Sequence, residues 1–235
     1  MNNIKKIAIV GHFTGENSFG ISKPYLFFWQ RFGEVSLISP FEKHVRDVDL
    51  LVMPGGQDVD PYRYLSPEDD THIYTGSPCM QKERFDRFLL PKYIEAKIPL
   101  FGICRGHQSL AVHFNAKLKQ HMYHETNPSN DGAKTMHKVI APEFIKHTIP
   151  TMWDYDDLNF DVNSRHHQVV MNCPENATVI GRYNGKDKEE WEEGDIEALT
   201  YFPDYPAHTV QWHPEDKQDD FSIRLINHLL NLNDE

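Results

Sequence analysis

The sequence predicts an α/β fold, a mostly parallel central sheet flanked by helices, and three observations carry that expectation. Short aliphatic runs at 4–10, 35–39, 50–53 and 98–103 alternate with helical patterns. Each is bounded by Gly, Pro or charge, as strands buried on both faces tend to be. The 235 residues suit one large domain able to bury a substantial core, and with no internal repeat in view residues 1–235 read as a single unit. Finally, the pentapeptide Gly102-Ile103-Cys104-Arg105-Gly106 directly follows an apolar run and reads as a strand delivering a side chain into a sharp turn.

Taken in order, Ile4 to Val10 is expected to form the first strand, Pro24 to Phe32 a helix, and Val35 to Ser39 and Leu50 to Met53 the next two strands. A polar, turn-rich loop covers Asp58 to Pro78. Met80 to Lys97 carries Phe85, Phe88, Leu89 and Ile94 in an amphipathic helical pattern, which Pro91 must kink or split. Ile98 to Ile103 is a strand, and apolar Leu110, Ala111 and Phe114 place a helix directly after the cysteine. Shorter strand-like segments follow around Lys117 to Lys119, His137 to Ile140, Phe160 to Asn163, Thr178 to Arg182, Ile196 to Tyr201 and His208 to Gln211. The charged stretch Lys186 to Gly194 reads as a solvated hairpin loop, and Phe221 to Leu232 as a closing helix.

Composition narrows the functional classes. A formal net charge of -11 with scattered basic residues disfavours nucleic-acid binding, because phosphate would have to approach against the protein's own field. No apolar stretch approaches membrane-spanning length, and the start turns straight into a strand pattern without the apolar core of a signal peptide. Cys79, Cys104 and Cys173 show no paired spacing of a disulfide framework or zinc ribbon, so a reducing, cytoplasmic setting is expected.

Cys104 is the candidate nucleophile. At a helix start, unpaired N–H groups and the dipole favour thiolate over thiol, and the thiolate attacks. His213 is the candidate base: on an extended segment, Glu215 two residues later points to the same side and can fix the imidazole tautomer. Pro214 between them suits the first turn of a helix. Gly55 and Gly56 end a buried strand, where an unobstructed N–H can approach an oxyanion, although the pair also suits a plain turn. Cys79 and Cys173 read as small buried hydrophobes. His166 and His167 fit a polar loop better than a metal site, because adjacent residues on an extended chain point apart. His121 and His124 suit a structural or surface role better than a shared helical face.

Four ordered stretches, Met53 to Tyr64 (MPGGQDVDPYRY), Gly102 to Gln108 (GICRGHQ), Val162 to Val170 (VNSRHHQVV) and Val210 to Glu215 (VQWHPE), resemble the class I glutamine amidotransferase superfamily, closest to its γ-glutamyl-γ-aminobutyrate hydrolase branch. The resemblance spans most of the chain. It implies a flavodoxin-like fold with a nucleophile elbow, a Cys104-His213-Glu215 triad, and an oxyanion hole from the backbone N–H groups of Gly56 and Arg105. It further implies that Gly55, Gln108, Ser164, His166 and His167 line a γ-glutamyl pocket. The implied reaction is cleavage of a γ-glutamyl amide through a glutamyl thioester, with no metal or organic cofactor.

Two other functions are compatible with the same residues: a glutaminase component passing ammonia from glutamine to a separate synthetase, and a catalytically silent binding protein of the same fold. A homodimer or a synthetase is the expected partner. Where the family usually carries Gly-Gly after the nucleophile helix, this chain has Asn115-Ala116, and His121 to Met136 lacks the usual acidic opening. Both departures are expected at the cleft's rim, where they would bear on the leaving amine.

Overall fold

The computed structural model describes residues 4–13, 18–71, 73, 75–122, 136–185 and 194–232. In its first half, strands β1 (Lys6–Val10), β2 (His12–Phe13) and β3 (Phe19–Gly20) precede helix α1 (Lys23–Trp29), then β4 (Glu34–Ile38) and β5 (Leu50–Met53). Helices α2 (Met80–Phe88) and α3 (Leu90–Glu95) lead into β6 (Leu100–Ile103) and α4 (Arg105–His113). Next come β7 (Leu118–Lys119), β8 (Met136–Ile140), α5 (Ile145–Thr148), β9 (Asn159–Asn163) and β10 (Val169–Val170). β11 (Thr178–Tyr183), β12 (Ile196–Thr200), β13 (Ala207–Val210) and α6 (Asp220–Asn231) follow, and two short 3₁₀ turns, Pro61–Arg63 and Pro150–Met152, lie in the connections.

The main sheet runs β4-β1-β5-β6-β13-β12-β11-β8-β9, with β10 bridging β12 and β7. The first five strands pair in parallel, and the expected parallel core is therefore present. From β12 onward the neighbours pair antiparallel, an extension that the short later segments gave no means of ordering.

Period-two alternation explains the two-sided core. Ile7, Ile9, Leu50, Val52, Phe101 and Ile103 face one layer, where Phe28 and Trp29 of α1 and Phe221, Leu225 and Leu229 of α6 cover them. Ala8, Val10, Leu51, Met53 and Leu100 face the other, under Phe85 of α2, Tyr93 of α3 and Leu110 of α4. Every residue from Leu50 to Met53 and from Leu100 to Ile103 is buried, as continuous aliphatic runs require when both faces are covered.

Pro91 splits the predicted long helix. α2 ends with Leu89 as its C-cap, and Pro91 takes the second position of α3, where its missing N–H leaves no intrahelical bond unmade. The small β2–β3 hairpin and α5 had no recognisable period in the sequence. Residues 186–193 of the charged stretch lie outside the described residues, as do His124 and the rest of 123–135. No helix among the described residues is long and apolar enough to cross a membrane.

Candidate active site

Cys104 sits at the tip of the β6–α4 turn with φ 51° and ψ -106°, a backbone conformation that a side chain rarely adopts. Such a position holds strain of order 1–3 kcal/mol and persists only where its surroundings fix it. They do so here. The Cys104 N–H donates to the Val210 carbonyl (2.8 Å), and the Cys104 carbonyl accepts from the Gln108 N–H (3.1 Å). The flanking glycines are steric necessities: a Cβ on Gly102 would stand 2.7 Å from Thr209 Cγ2, and one on Gly106 would fall onto the carbonyl oxygen of Met53.

Because β13 lies parallel to β6, with Val210 opposite Ile103, the segment after β13 emerges beside the elbow at the carboxyl ends of the strands. Asn163, at the end of β9, clamps His213 by accepting from its backbone N–H (2.9 Å) and donating to its carbonyl (3.0 Å). His213 Nδ1 pairs with Glu215 Oε1 at 2.6 Å, while the ring is also hydrogen-bonded to Cys104. Burial pulls the imidazole pKa down, but the charge of Cys104 and its hydrogen bond, followed by the Glu215 bond and charge, outweigh burial and raise it to about 10. At neutral pH the raised value keeps the imidazole protonated, and a cation held beside a cysteine sulfur is the arrangement that makes a cysteine nucleophilic.

Tyr25 of α1 joins His213 to the glycine turn. Its hydroxyl accepts from the Gly55 N–H (2.9 Å) and stands 3.4 Å from His213 Nδ1, within reach of the Glu215 charge. Burial and the adjacent Glu215 charge push its own pKa well up, so it remains a neutral donor. Tyr25→Phe is expected to lower kcat/KM roughly 10-fold and to destabilise the fold by about 1–3 kcal/mol, because the Gly55 N–H loses its buried partner and the His213 ring loses a polar neighbour. Steady-state kinetics and a urea midpoint check this; a wild-type value for both would remove Tyr25 from the site.

Gly55 and Gly56 line a cleft of about 220 Å³ with Tyr25, Arg165, His213 and Glu215. A Cβ on Gly55 would come within 2.7 Å of His213 Cε1. The Gly55 carbonyl accepts from the buried ammonium of Lys82. Arg105 is the first residue of α4, so its N–H has no intrahelical acceptor. Its side chain points into the core, paired with Glu83 (2.6 Å) and Asp86 (2.8 Å) of α2. Arg63 joins the same carboxylates, bonding Asp86 at 2.8 Å. This buried network holds the start of α4 against α2.

The remaining candidates divide. Gln108, Ser164 and His166 are 3%, 0% and 4% exposed, and none is among the residues lining the cleft. The Gln108 amide donates to the Gln168 carbonyl (2.9 Å) and to Gln211 (3.1 Å). His166 and His167 do point apart. His167 reaches the Asp58 carboxylate (3.1 Å) and His121 (3.1 Å), while His166 turns inward beside His137 and Glu197. Burial lowers the His166 pKa to about 4 and keeps its ring neutral. His137, His166 and Glu197, and separately His213, Glu215 and Asp216, are the described groups close enough to share a metal ion.

The Asn115 expectation is corrected. Asn115 lies beyond the carboxyl end of α4, about 14 Å along the helix from its Cys104 start, in a left-handed conformation (φ 67°). Asparagine replaces glycine there because both tolerate positive φ at a helix end, so the change concerns capping and not the cleft.

Sequence reasoning missed Tyr25, Lys82 and Asn163 as site residues. Only Asn163 carried a signal, as a member of the quoted VNSRHH stretch.

Comparison with known proteins bears on the family and the fold. The chain is 30% identical over 200 residues to the glutamine amidotransferase-like protein YvdE of Lactococcus lactis, covering 80% of this chain and 77% of that one. It is 23% identical over 184 residues to anthranilate synthase component 2 of Saccharolobus solfataricus, covering 78% and 82%. The crystal structure of a glutamine amidotransferase from Thermotoga maritima superposes with a TM-score of 0.58 at 16% identity over 98% of each chain, which shows the shared fold. The profile of the Peptidase C26 family matches residues 32–215, a span that holds the elbow, His213 and Glu215, and the chain belongs to that family within the class I glutamine amidotransferase-like superfamily.

Proposed function

We propose that the protein, acting as one unit over residues 1–235, hydrolyses the γ-glutamyl amide bond of a small compound through a thioester on Cys104. The observation that carries this reading is the continuous chain Cys104–His213–Glu215 beside the Gly55-Gly56 turn. The thiolate attacks the γ-carbonyl carbon, and the N–H groups of Gly56 and Arg105 receive the developing oxyanion. His213 gives its proton to the departing amine. Water then enters, His213 takes one of its protons, and collapse of the second tetrahedral species releases the acid and restores the thiolate. Arg165, at the cleft and paired with Asp216, presents its guanidinium to a substrate carboxylate. Three cysteines outside any disulfide suit a reducing, cytoplasmic setting.

A second reading is a glutaminase component that supplies ammonia to a synthetase, and similarity to an anthranilate synthase component favours it. A panel of γ-glutamyl amides, glutamine included, separates the two. Unaided turnover of several amides supports the hydrolase; glutamine-only activity that rises on adding a synthetase supports the second. Substrates lacking the α-amino group are expected to lose far more kcat/KM than substrates with a different small amine. An unpaired buried partner costs about 1–3 kcal/mol, which is 5- to 150-fold in rate, whereas a change at an open rim costs less. Equal rates for the amino and desamino forms would overturn γ-glutamyl recognition.

A further inference from the structure

Lys82 enters from the first turn of α2, is 4% exposed, and makes no ion pair among the described residues. Glu83 and Asp86 on the same helix are engaged by Arg105 and Arg63. The partner its ammonium does have is the carbonyl oxygen of Gly55. Burying an ammonium against one neutral acceptor is costly, so its placement calls for a reason beyond packing.

The glycine beside it points to one. Gly56 does not have a positive φ, so its backbone does not demand glycine. A Cβ there would fall onto Lys82 Nζ and within 3.0 Å of Cε. Glycine at 56 is therefore what lets the ammonium reach the carbonyl. The C=O of Gly55 and the N–H of Gly56 belong to one peptide unit, and in a trans peptide they point in opposite directions. Fixing one fixes the other.

From this geometry, and resting on the acyl-transfer reading above, we infer that Lys82 is the positioning residue of the oxyanion hole: its bond to the Gly55 carbonyl turns the Gly56 N–H toward the oxygen of the acyl group on Cys104. The ammonium also polarises that peptide, making its N–H a stronger donor. The Gly55 N–H is already taken by Tyr25, which leaves the Gly56 N–H as the available donor of this turn. Lys82 also lies within electrostatic reach of Cys104, and the role inferred for it is separate from that attraction. Its effect passes through the backbone.

The test separates oxyanion stabilisation from thiol reactivity. Iodoacetamide alkylates Cys104 by displacement at a saturated carbon, which develops no oxyanion, whereas p-nitrophenyl acetate acylates the same sulfur through a tetrahedral oxyanion without needing γ-glutamyl recognition. Peptide mass analysis reads both at Cys104, apart from Cys79 and Cys173. Lys82→Met is expected to alkylate within about twofold of wild type but to acylate roughly 10- to 100-fold more slowly, with kcat for a γ-glutamyl substrate falling and KM unchanged. Lys82→Arg, which keeps a charged donor, is expected to recover part of that loss. Gly56→Ala, which retains Lys82 but drives Nζ off the carbonyl, is expected to show the same split and guards against a misfolded methionine variant. Alkylation falling in step with acylation would overturn the inference and assign Lys82 to the thiolate or to folding, as would undiminished acylation in Lys82→Met. Should the γ-glutamyl reading itself be wrong, glutamyl turnover is absent even in wild type, while the alkylation and acetate arms still decide the role of Lys82.

Discussion

Cys104→Ala is expected to lower turnover by roughly 10⁴-fold or more, because removing a nucleophile disables the whole catalytic unit. Retention of even a hundredth of the wild-type rate would sink the assignment of Cys104. The fold should survive: the side chain is small, and the strain resides in the backbone at φ 51°. Cys104→Gly should consequently be more stable than Cys104→Ala by about 1 kcal/mol, since glycine accepts this conformation freely. The same substitution tests the electrostatics. With Cys104 gone, His213 keeps its burial, which lowers its pKa, and loses the thiolate charge and hydrogen bond that raise it. Its pKa should drop from about 10 toward neutrality, as NMR titration of the imidazole would show. The sign matters for rate. In the intact protein the imidazolium persists through neutral pH, so amide cleavage should fall only as pH rises toward about 10, where the proton for the leaving amine is lost. An imidazole in Cys104→Ala that still titrated near 10 would show that the thiolate is not its partner.

What the sequence disclosed follows from how local each signal is. Aliphatic runs such as Leu50 to Met53 announce strands because every residue in them is buried, and Pro91 announces its break because the missing N–H acts within one turn. The proposed triad was legible because its spacing is short-range on both sides: two residues from His213 to Glu215, and glycines two either side of Cys104. Lys82 was not. In the string Met80 to Phe88 it is one of several charged helix residues, and only the packing of α2 below the β5 turn buries it. Tyr25 was passed over for the same reason, since its hydroxyl meets Gly55 and His213 across sequence separations of 30 and 188 residues. Asn115 misled because position along the chain was taken for position near the cleft, when a helix of two and a half turns separates the two.

Gly106→Ala is expected to produce the largest loss of stability of any single methyl added at the elbow. Its Cβ would fall onto the carbonyl oxygen of Met53, with Met53 Cβ 2.8 Å away, and backbone at the end of a central parallel strand cannot swing aside as a flexible side chain can. Overpacking of this kind costs about 3 kcal/mol, at the upper end of the usual range. For a chain of this size that corresponds to a fall in Tm of roughly 6–12 °C. The effect should reach the chemistry as well. Pushing α4 away from β5 draws Arg105 from Glu83 and Asp86, and it parts the Arg105 N–H from the Gly55-Gly56 turn proposed to share the oxyanion with it. Gly20→Ala is the matched control, because a Cβ there meets nothing within 4 Å and its φ is not positive, so stability should stay within about 0.5 kcal/mol of wild type. Calorimetry of the two variants decides the point. If Gly106→Ala melts with Gly20→Ala, the elbow is not wedged against β5, and the close strand-to-helix approach that aims Cys104 into the cleft must be held by something other than the missing side chain.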